Sequence, residues 1–471
     1  MTLLLAMTLL APGRLFYIDG RAGSDKNPGS VAAPWQTFSR LAKANLAPGD
    51  SVILVGGQTY PGPLRLGKEA NGITLRAAGD GPAEIRGGKG DGLVLDGCEN
   101  LAVKDLLVSG AGRKENDGSG ILMRRTRGVT IESVTVTGFR IAGVDSGGDE
   151  KATFKSVVAH GNGAAGISVF GGYDGVPRSK DIRITRCTAY ENAGDPKNLT
   201  NHSGNGIIVG GVDGCIIDYC TAFRNGADMP RKGNGPVGIW AWNASNVLIE
   251  WCISHHNDSP GTDGGGFDFD GGVTDSTMQH NLSYRNAGCG YLLCQYEGGD
   301  KWKNNTVRYN VSYNDGAKNF QAGIGIFDGG GKFSDAKIYN NTVVNDLHAV
   351  SAMHAVPGLV FERNVFVSGK EAVVGDFVGG RFAENLYWTQ GRFGMSFDGK
   401  QGWATLADWA AATGQESETG TVIGHLADPK LRLPARDTEL PTDPADLAKM
   451  TFFQSTKGSP AKDLGLGVPS L

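Results

Sequence analysis

The sequence lacks a basic patch, a disulfide pattern and any long membrane-spanning apolar run. With 45 Lys and Arg against 49 Asp and Glu, the net charge is -4, which leaves no electrostatic footprint for nucleic acid. Seven cysteines occur in 471 residues, an odd number with no close pair in metal-ligand spacing, so neither a disulfide framework nor a zinc site is expected. The eight histidines form no metal-ligand pattern either. No stretch beyond the first ten residues is long and apolar enough to cross a bilayer. Residues 1–10 are apolar and are followed by Ala11-Pro12-Gly13, without a basic start. Residues 1–15 therefore read as a weak or truncated export signal, and the protein as secreted or periplasmic.

What is abundant is glycine, at 73 residues, without the every-third spacing of collagen. Much of it is periodic. From residue 72 onward, segments of the form Gly-apolar-x-apolar begin at Gly72, Gly92, Gly120, Gly143, Gly166, Gly206, Gly238, Gly266, Gly290 and Gly323, with 23 residues between Gly120 and Gly143 and between Gly143 and Gly166. Each is followed by a second short strand and then by a column of small polar residues: Cys187, Cys220, Cys252, Asn281, Asn310, Asn341, Asn364, Asn385. A second column follows at Asn192, Asn225, Asn257, Asn286, Asn314 and Asn345. Amides recurring once per coil can hydrogen-bond up and down a stack, which is the signature of a parallel β-helix. The cysteines in register with these columns read as small buried side chains.

The remaining segments fit around that solenoid. Residues 16–71 read as an N-terminal cap and first strands, with helical spacing of Phe38, Leu41 and Ala42 in residues 37–45 and a stop at Pro48-Gly49-Asp50. Residues 72–390 form the β-helix. Residues 391–471 form an irregular C-terminal cap packed on the solenoid, with a short helix over 405–413 ended by Gly414. The fold class is all-β.

The period of two assigns faces. Residues one and three after each glycine (Ile207/Val209, Ile239/Ala241, Phe267/Phe269, Tyr291/Leu293) point to the core. Residues two and four point outward: Ile208/Gly210, Trp240/Trp242, Asp268/Asp270, Leu292/Cys294. Coils lengthen just before this strand (193–205, 226–237, 258–265) or just after it (171–180, 296–303), so inserted loops wall a cleft over the Trp and Asp pairs.

The entry Tyr17-Ile18-Asp19-Gly20, Gly23-Ser24-Asp25, Asn27-Pro28-Gly29, Pro34-Trp35-Gln36-Thr37 and Leu46-Ala47-Pro48-Gly49-Asp50 resembles the N-terminal cap of secreted right-handed β-helix proteins that act on polysaccharides. The close, Ser459-Pro460-Ala461-Lys462-Asp463-Leu464-Gly465, resembles how such chains end. The resemblance implies a right-handed solenoid, a poly- or oligosaccharide as partner, and lyase, hydrolase, epimerase or adhesin activity. Within that group Gly266-Phe267-Asp268-Phe269-Asp270 is similar to the strand bearing the nucleophile of β-helix glycosidases of the β-xylosidase type. That match implies Asp270 as nucleophile and a glutamate acid/base one coil on, where this chain has Cys294; Glu297 is the nearest substitute.

The residues point to the same chemistry. Glycoside hydrolysis needs one carboxylic acid and one carboxylate, and Asp268 and Asp270 stand roughly 7 Å apart along one strand face. Their proximity raises the pKa of one of them. The catalytic candidates are thus Asp270, Asp268 and Glu297, in a glycoside hydrolase that requires no cofactor. Trp240, Trp242 and Tyr296 are candidates for stacking on sugar rings, and His202 for a substrate contact from an inserted loop. Two other functions compete. A Ca2+-dependent uronate lyase would hold the ion with Asp263, Asp268 and Asp270 and draw its base from Lys232, Lys301 or Lys303 on inserted loops, Arg124 lying several coils away. A non-catalytic carbohydrate-binding surface protein would need only the aromatics. In each case the chain is expected to be a monomer.

Overall fold

The computed structural model describes residues 13–463 except 320, 331, 332 and 437. Most of the expected export segment and the end of the closing motif lie outside the described residues. Three parallel sheets of 14 strands each run the length of the molecule, successive coils contributing one strand to each. This is a parallel β-helix. The coils extend further than the sequence rhythm suggests at both ends. Leu15–Ile18 pairs with Ser51–Val55, and His425–Leu426 still pairs with Leu386–Thr389.

The core is the inward half of every strand. Ile207, Val209, Ile239, Phe267, Phe269 and Leu293 are all completely buried. Phe267 and Tyr291 stack in adjacent coils at 5.2 Å and 6°. Both polar columns are continuous. Asn281, Asn310, Asn341, Asn364 and Asn385 each donate an amide N–H to the next at 2.9–3.0 Å, and the column ends on Glu416 Oε1 at 2.7 Å. The second runs Asn162, Asn192, Asn225, Asn257, Asn286 and then Asp315, not Asn314. Asn314 instead accepts from the Asp346 N–H at 2.9 Å on the surface. All seven cysteines are free thiols. Asn310→Ala strips an acceptor from both the main-chain and side-chain N–H of Asn281. Orphaned buried donors of this kind cost on the order of 3 kcal/mol together, to be read as a loss in denaturant midpoint.

The ends are closed as their sequences suggest, with one difference. The first expected helix is a 3-10 helix, Phe38–Lys43, capped by Thr37, over a Trp35 that is buried against the first coil. At the other end Leu406–Thr413 is an α-helix with a Thr405–Asp408 capping box, and Gly414 ends it with φ 74. It plugs the last coil with Trp409, fully buried against Phe382 and Phe393. The tail then returns along the outside of the third sheet, where Leu440, Leu447, Met450 and Phe453 cover Leu282, Tyr284 and Tyr313.

Candidate active site

The site lies on the outer face of the sheet that contains Val237–Trp242, Gly265–Phe269 and Tyr291–Tyr296. Register aligns Trp240 with Asp268 and Asp268 with Leu292. Just beyond the pairing of Phe269 with Leu293, the Cys294 thiol lies near the Asp270 carboxylate and favours its ionised form. The outward assignment of Trp240, Trp242, Asp268 and Asp270 is therefore correct. Their exposure is not uniform.

Asp268 points outward yet is only 3 % exposed, wedged between the bulky Trp240 and Leu292 of the flanking coils. Among the described residues its Oδ1 has no hydrogen-bond partner. Burial first, then the charges of Asp270 and Asp263, push its pKa well above the usual carboxylate value. Asp270, part-exposed at the end of its strand, is raised by burial while the Cys294 thiol and the Gly271 N–H (2.7 Å) favour its ionised form. Asp263 sits where the 258–264 loop rejoins the strand. There Asp263 and Gly264 both take left-handed backbone angles, φ 60 and 76, and turn the chain into the sheet. Asp263 is part-exposed, accepts from the Gly235 N–H at 3.0 Å and the Gln321 amide at 3.4 Å, and has its pKa raised by burial and by the charge of Asp270.

The remaining candidates divide. Glu297 is exposed at the start of the loop after its strand, where its N–H bonds the Gly329 carbonyl; no hydrogen bond or ion pair among the described residues joins its carboxylate to the three aspartates. Trp240 is a correction, because it is not an open stacking surface. It is 3 % exposed, its indole N–H donates to Asn205, and His202 of the 193–204 loop packs edge-on against it at 5.0 Å. Trp242 stays part-exposed and continues into an aromatic strip with Tyr173 (5.6 Å) and Phe170 (5.5 Å further), over which Arg124 lies. Tyr296 is 37 % exposed, with its ring over Gly271, where any Cβ would collide with it at 2.3 Å. His202 is held neutral by burial, its pKa pushed down to about 4.

The three aspartates of the alternative Ca2+ cage stand in different surroundings. Among the described residues no three His, Cys, Asp or Glu side chains are grouped to hold an ion. Asp263 spends its oxygens on Gly235 and Gln321, and Asp268 is closed off by Trp240 and Leu292. Of the basic candidates, Lys303 is in the strand Trp302–Arg308 of a different sheet, not on a loop, and Arg124 pairs with Asp145 at 3.1 Å. The cation whose charge reaches Asp263 is Arg231, on the 226–236 loop, which sequence reasoning missed. Asn205, Gln321 and the aromatics Phe170 and Tyr173 were missed too. Asn205 directly precedes a repeat glycine, Tyr173 lies in an inserted loop, and Phe170 stands at an outward strand position, the fourth after Gly166.

A strand face that carries carboxyls and aromatics between loops, on a solenoid of three parallel sheets, defines the right-handed parallel β-helix class. The chain belongs to the Pel9A-like right-handed β-helix family, whose model matches residues 16–324. No curated protein matches the sequence. Among solved structures, the chain is similar to a GH136 lacto-N-biosidase from Eubacterium ramulus, at 18% identity and TM-score 0.52 over 80% of this chain and 68% of that one. It is also similar to the A-module of the Azotobacter vinelandii mannuronan C-5 epimerase AlgE6, at 16% identity and TM-score 0.52 over 80% and 97%. A third is XylC in complex with xylose, at 11% identity and TM-score 0.51 over 88% and 87%. At these identities the likeness is one of fold. Among the described residues no helix is long and apolar enough to cross a membrane.

Proposed function

We propose that the protein hydrolyses glycosidic bonds of a poly- or oligosaccharide, with Asp270 and Asp263 as the working carboxyl groups. What supports this reading is the effect of Asp270 on Asp263: two part-exposed carboxyls beside one outer strand, each raised by burial, with the charge of Asp270 further disfavouring ionisation of Asp263. That division of protons is what acid-assisted glycoside cleavage requires. Asp270, whose hydrogen bonds favour the anion, attacks the anomeric carbon or activates water. Asp263 delivers the proton to the departing oxygen. Asp268, buried beside them with its pKa raised, resists adding a third negative charge.

Trp242, Tyr173 and Phe170 offer sugar faces on one side of the acids, and Tyr296 on the other. The carbohydrate names of the structural neighbours, a biosidase, an epimerase and a xylose complex, agree with a sugar substrate. Elimination from a uronate is the second reading, favoured by Arg231, a cation beside Asp263. Incubation with a panel of neutral and acidic polysaccharides and aryl glycosides separates them. Hydrolysis yields new reducing ends without ultraviolet-absorbing unsaturated sugars. Unsaturated products support elimination, and turnover of nothing in a broad panel supports a carbohydrate-binding protein.

A further inference from the structure

Asn205 is the first residue of the strand Asn205–Gly210, at the foot of the 193–204 loop, and is 2 % exposed. Its Oδ1 accepts from the Trp240 indole N–H at 3.0 Å and from the Val237 N–H at 3.4 Å. Its Nδ2 donates to the Ala164 carbonyl at 3.1 Å. An indole nitrogen can only donate and a carbonyl can only accept, so these neighbours fix which end of the amide is oxygen. The same Nδ2 lies 3.2 Å from Nδ1 of His202. Facing a donor, Nδ1 must present its lone pair, which leaves the proton on Nε2.

We propose that the relay Trp240–Asn205–His202 locks His202 as the Nε2–H tautomer, a neutral donor that binds a hydroxyl or carbonyl oxygen of the sugar held beside Asp263 and Asp270. Asn205 is then a positioning residue, acting on the substrate only through His202. Three observations support this placement. His202 is part-exposed, and among the described residues no protein group accepts from its Nε2. Trp240, against which it packs, is the cross-strand neighbour of Asp268. Arg231 lowers the pKa of both His202 and Asp263, so both lie within reach of its charge. The elements around the ring are its own loop, the strands bearing Asn205 and Trp240, and the loop bearing Arg231. Of these, Arg231 is the charged group that acts on it, and with burial it keeps the imidazole uncharged above about pH 4. A neutral donor suits a substrate oxygen without a full charge, which favours a neutral or acetamido sugar over a uronate carboxylate at this contact.

The sugar contact rests on the proposed hydrolase reading, while the tautomer does not, so the test has two readouts. In the full chain labelled with 15N-histidine, long-range 1H–15N spectra assigned with His202→Ala should show His202 as the Nε2–H form from pH 5 to 8. In Asn205→Asp the amide donor becomes a carboxylate. The ring should then gain a proton on Nδ1 and titrate roughly one to three pH units higher. An Nδ1–H or charged His202 in the unmutated protein overturns the relay, as does an unaltered titration in folded Asn205→Asp. With a turned-over substrate, His202→Ala should raise KM about tenfold with little change in kcat; an unchanged KM overturns the sugar contact. Absence of any turnover strikes at the hydrolase reading alone, because the tautomer is still measured.

Discussion

Asp270→Asn and Asp263→Asn should each lower kcat/KM by about three orders of magnitude, the effect of removing a positioned acid or nucleophile. Both substitutions keep the shape of the side chain but replace one acceptor oxygen by an NH2, which at Asp263 faces the Gly235 or Gln321 donor, so unfolding curves are needed to separate a loss of activity from a loss of stability. Glu297→Gln should fall within about threefold of it, because Glu297 is exposed and shares no hydrogen bond with the aspartates. Asp268→Asn is the informative intermediate. The carboxyl it replaces is buried and its pKa is raised, so an amide there should cost far less than at Asp270. A Glu297→Gln loss as large as that of Asp270→Asn would return the acid role to the loop glutamate implied by the family resemblance. Steady-state kinetics on one cleaved substrate, with unfolding curves for each variant, decides among these outcomes.

A second large effect concerns the scaffold. Both amide columns end on, or pass through, a buried acid. Glu416 closes the first column, accepting from Asn385 at 2.7 Å and Tyr387 at 2.8 Å, and burial pushes its pKa from 4.5 to about 7. Asp315 takes an asparagine's place in the second, and burial raises it from 3.8 to about 6. Folding binds these protons more tightly than the unfolded chain does, so the stability they contribute is fully present below the unfolded values. It is lost as pH rises through about 6 for Asp315 and about 7 for Glu416. Each shift corresponds to about 3 kcal/mol at pH 8. Glu416→Gln with Asp315→Asn should therefore raise the melting temperature at pH 8 by several degrees and change it little at pH 4. A melting temperature that is flat from pH 4 to 8 in the unmutated protein would contradict this. The slope left in the double variant belongs to Asp263, Asp268 and Asp270, which shift in the same direction.

The solenoid was legible because its determinants are local and repeated. A glycine, two inward apolar residues and a polar residue recur in each coil, so errors in one coil are corrected by the next. The outward position of Asp268 and Asp270 followed from the same register. What the register could not give is burial on the outer face, which depends on loops from other coils and on the size of flanking side chains. Trp240 is covered because His202 folds back from the 193–204 loop, and Asp268 is covered because Trp240 and Leu292 flank it. Asp263 was legible only as an oxygen ligand. Its approach to Asp270 arises from the left-handed turn at Asp263 and Gly264, a geometry with no periodic signal. Asp315 displaced Asn314 from the column for a related reason: residue type alone favoured the amide, whereas the coil length places the next residue inward.

Cleavage of a susceptible substrate in water enriched in 18O tests hydrolysis at this cleft most directly. Attack by Asp270 or by water it activates, with proton delivery from Asp263, places one solvent oxygen on the anomeric carbon of each bond cut. Mass spectrometry of the fresh products should show one 18O per new reducing end, with no unsaturated sugar, and none of this product from Asp270→Asn. Cleaved products that carry no solvent oxygen and absorb as unsaturated uronates would contradict it.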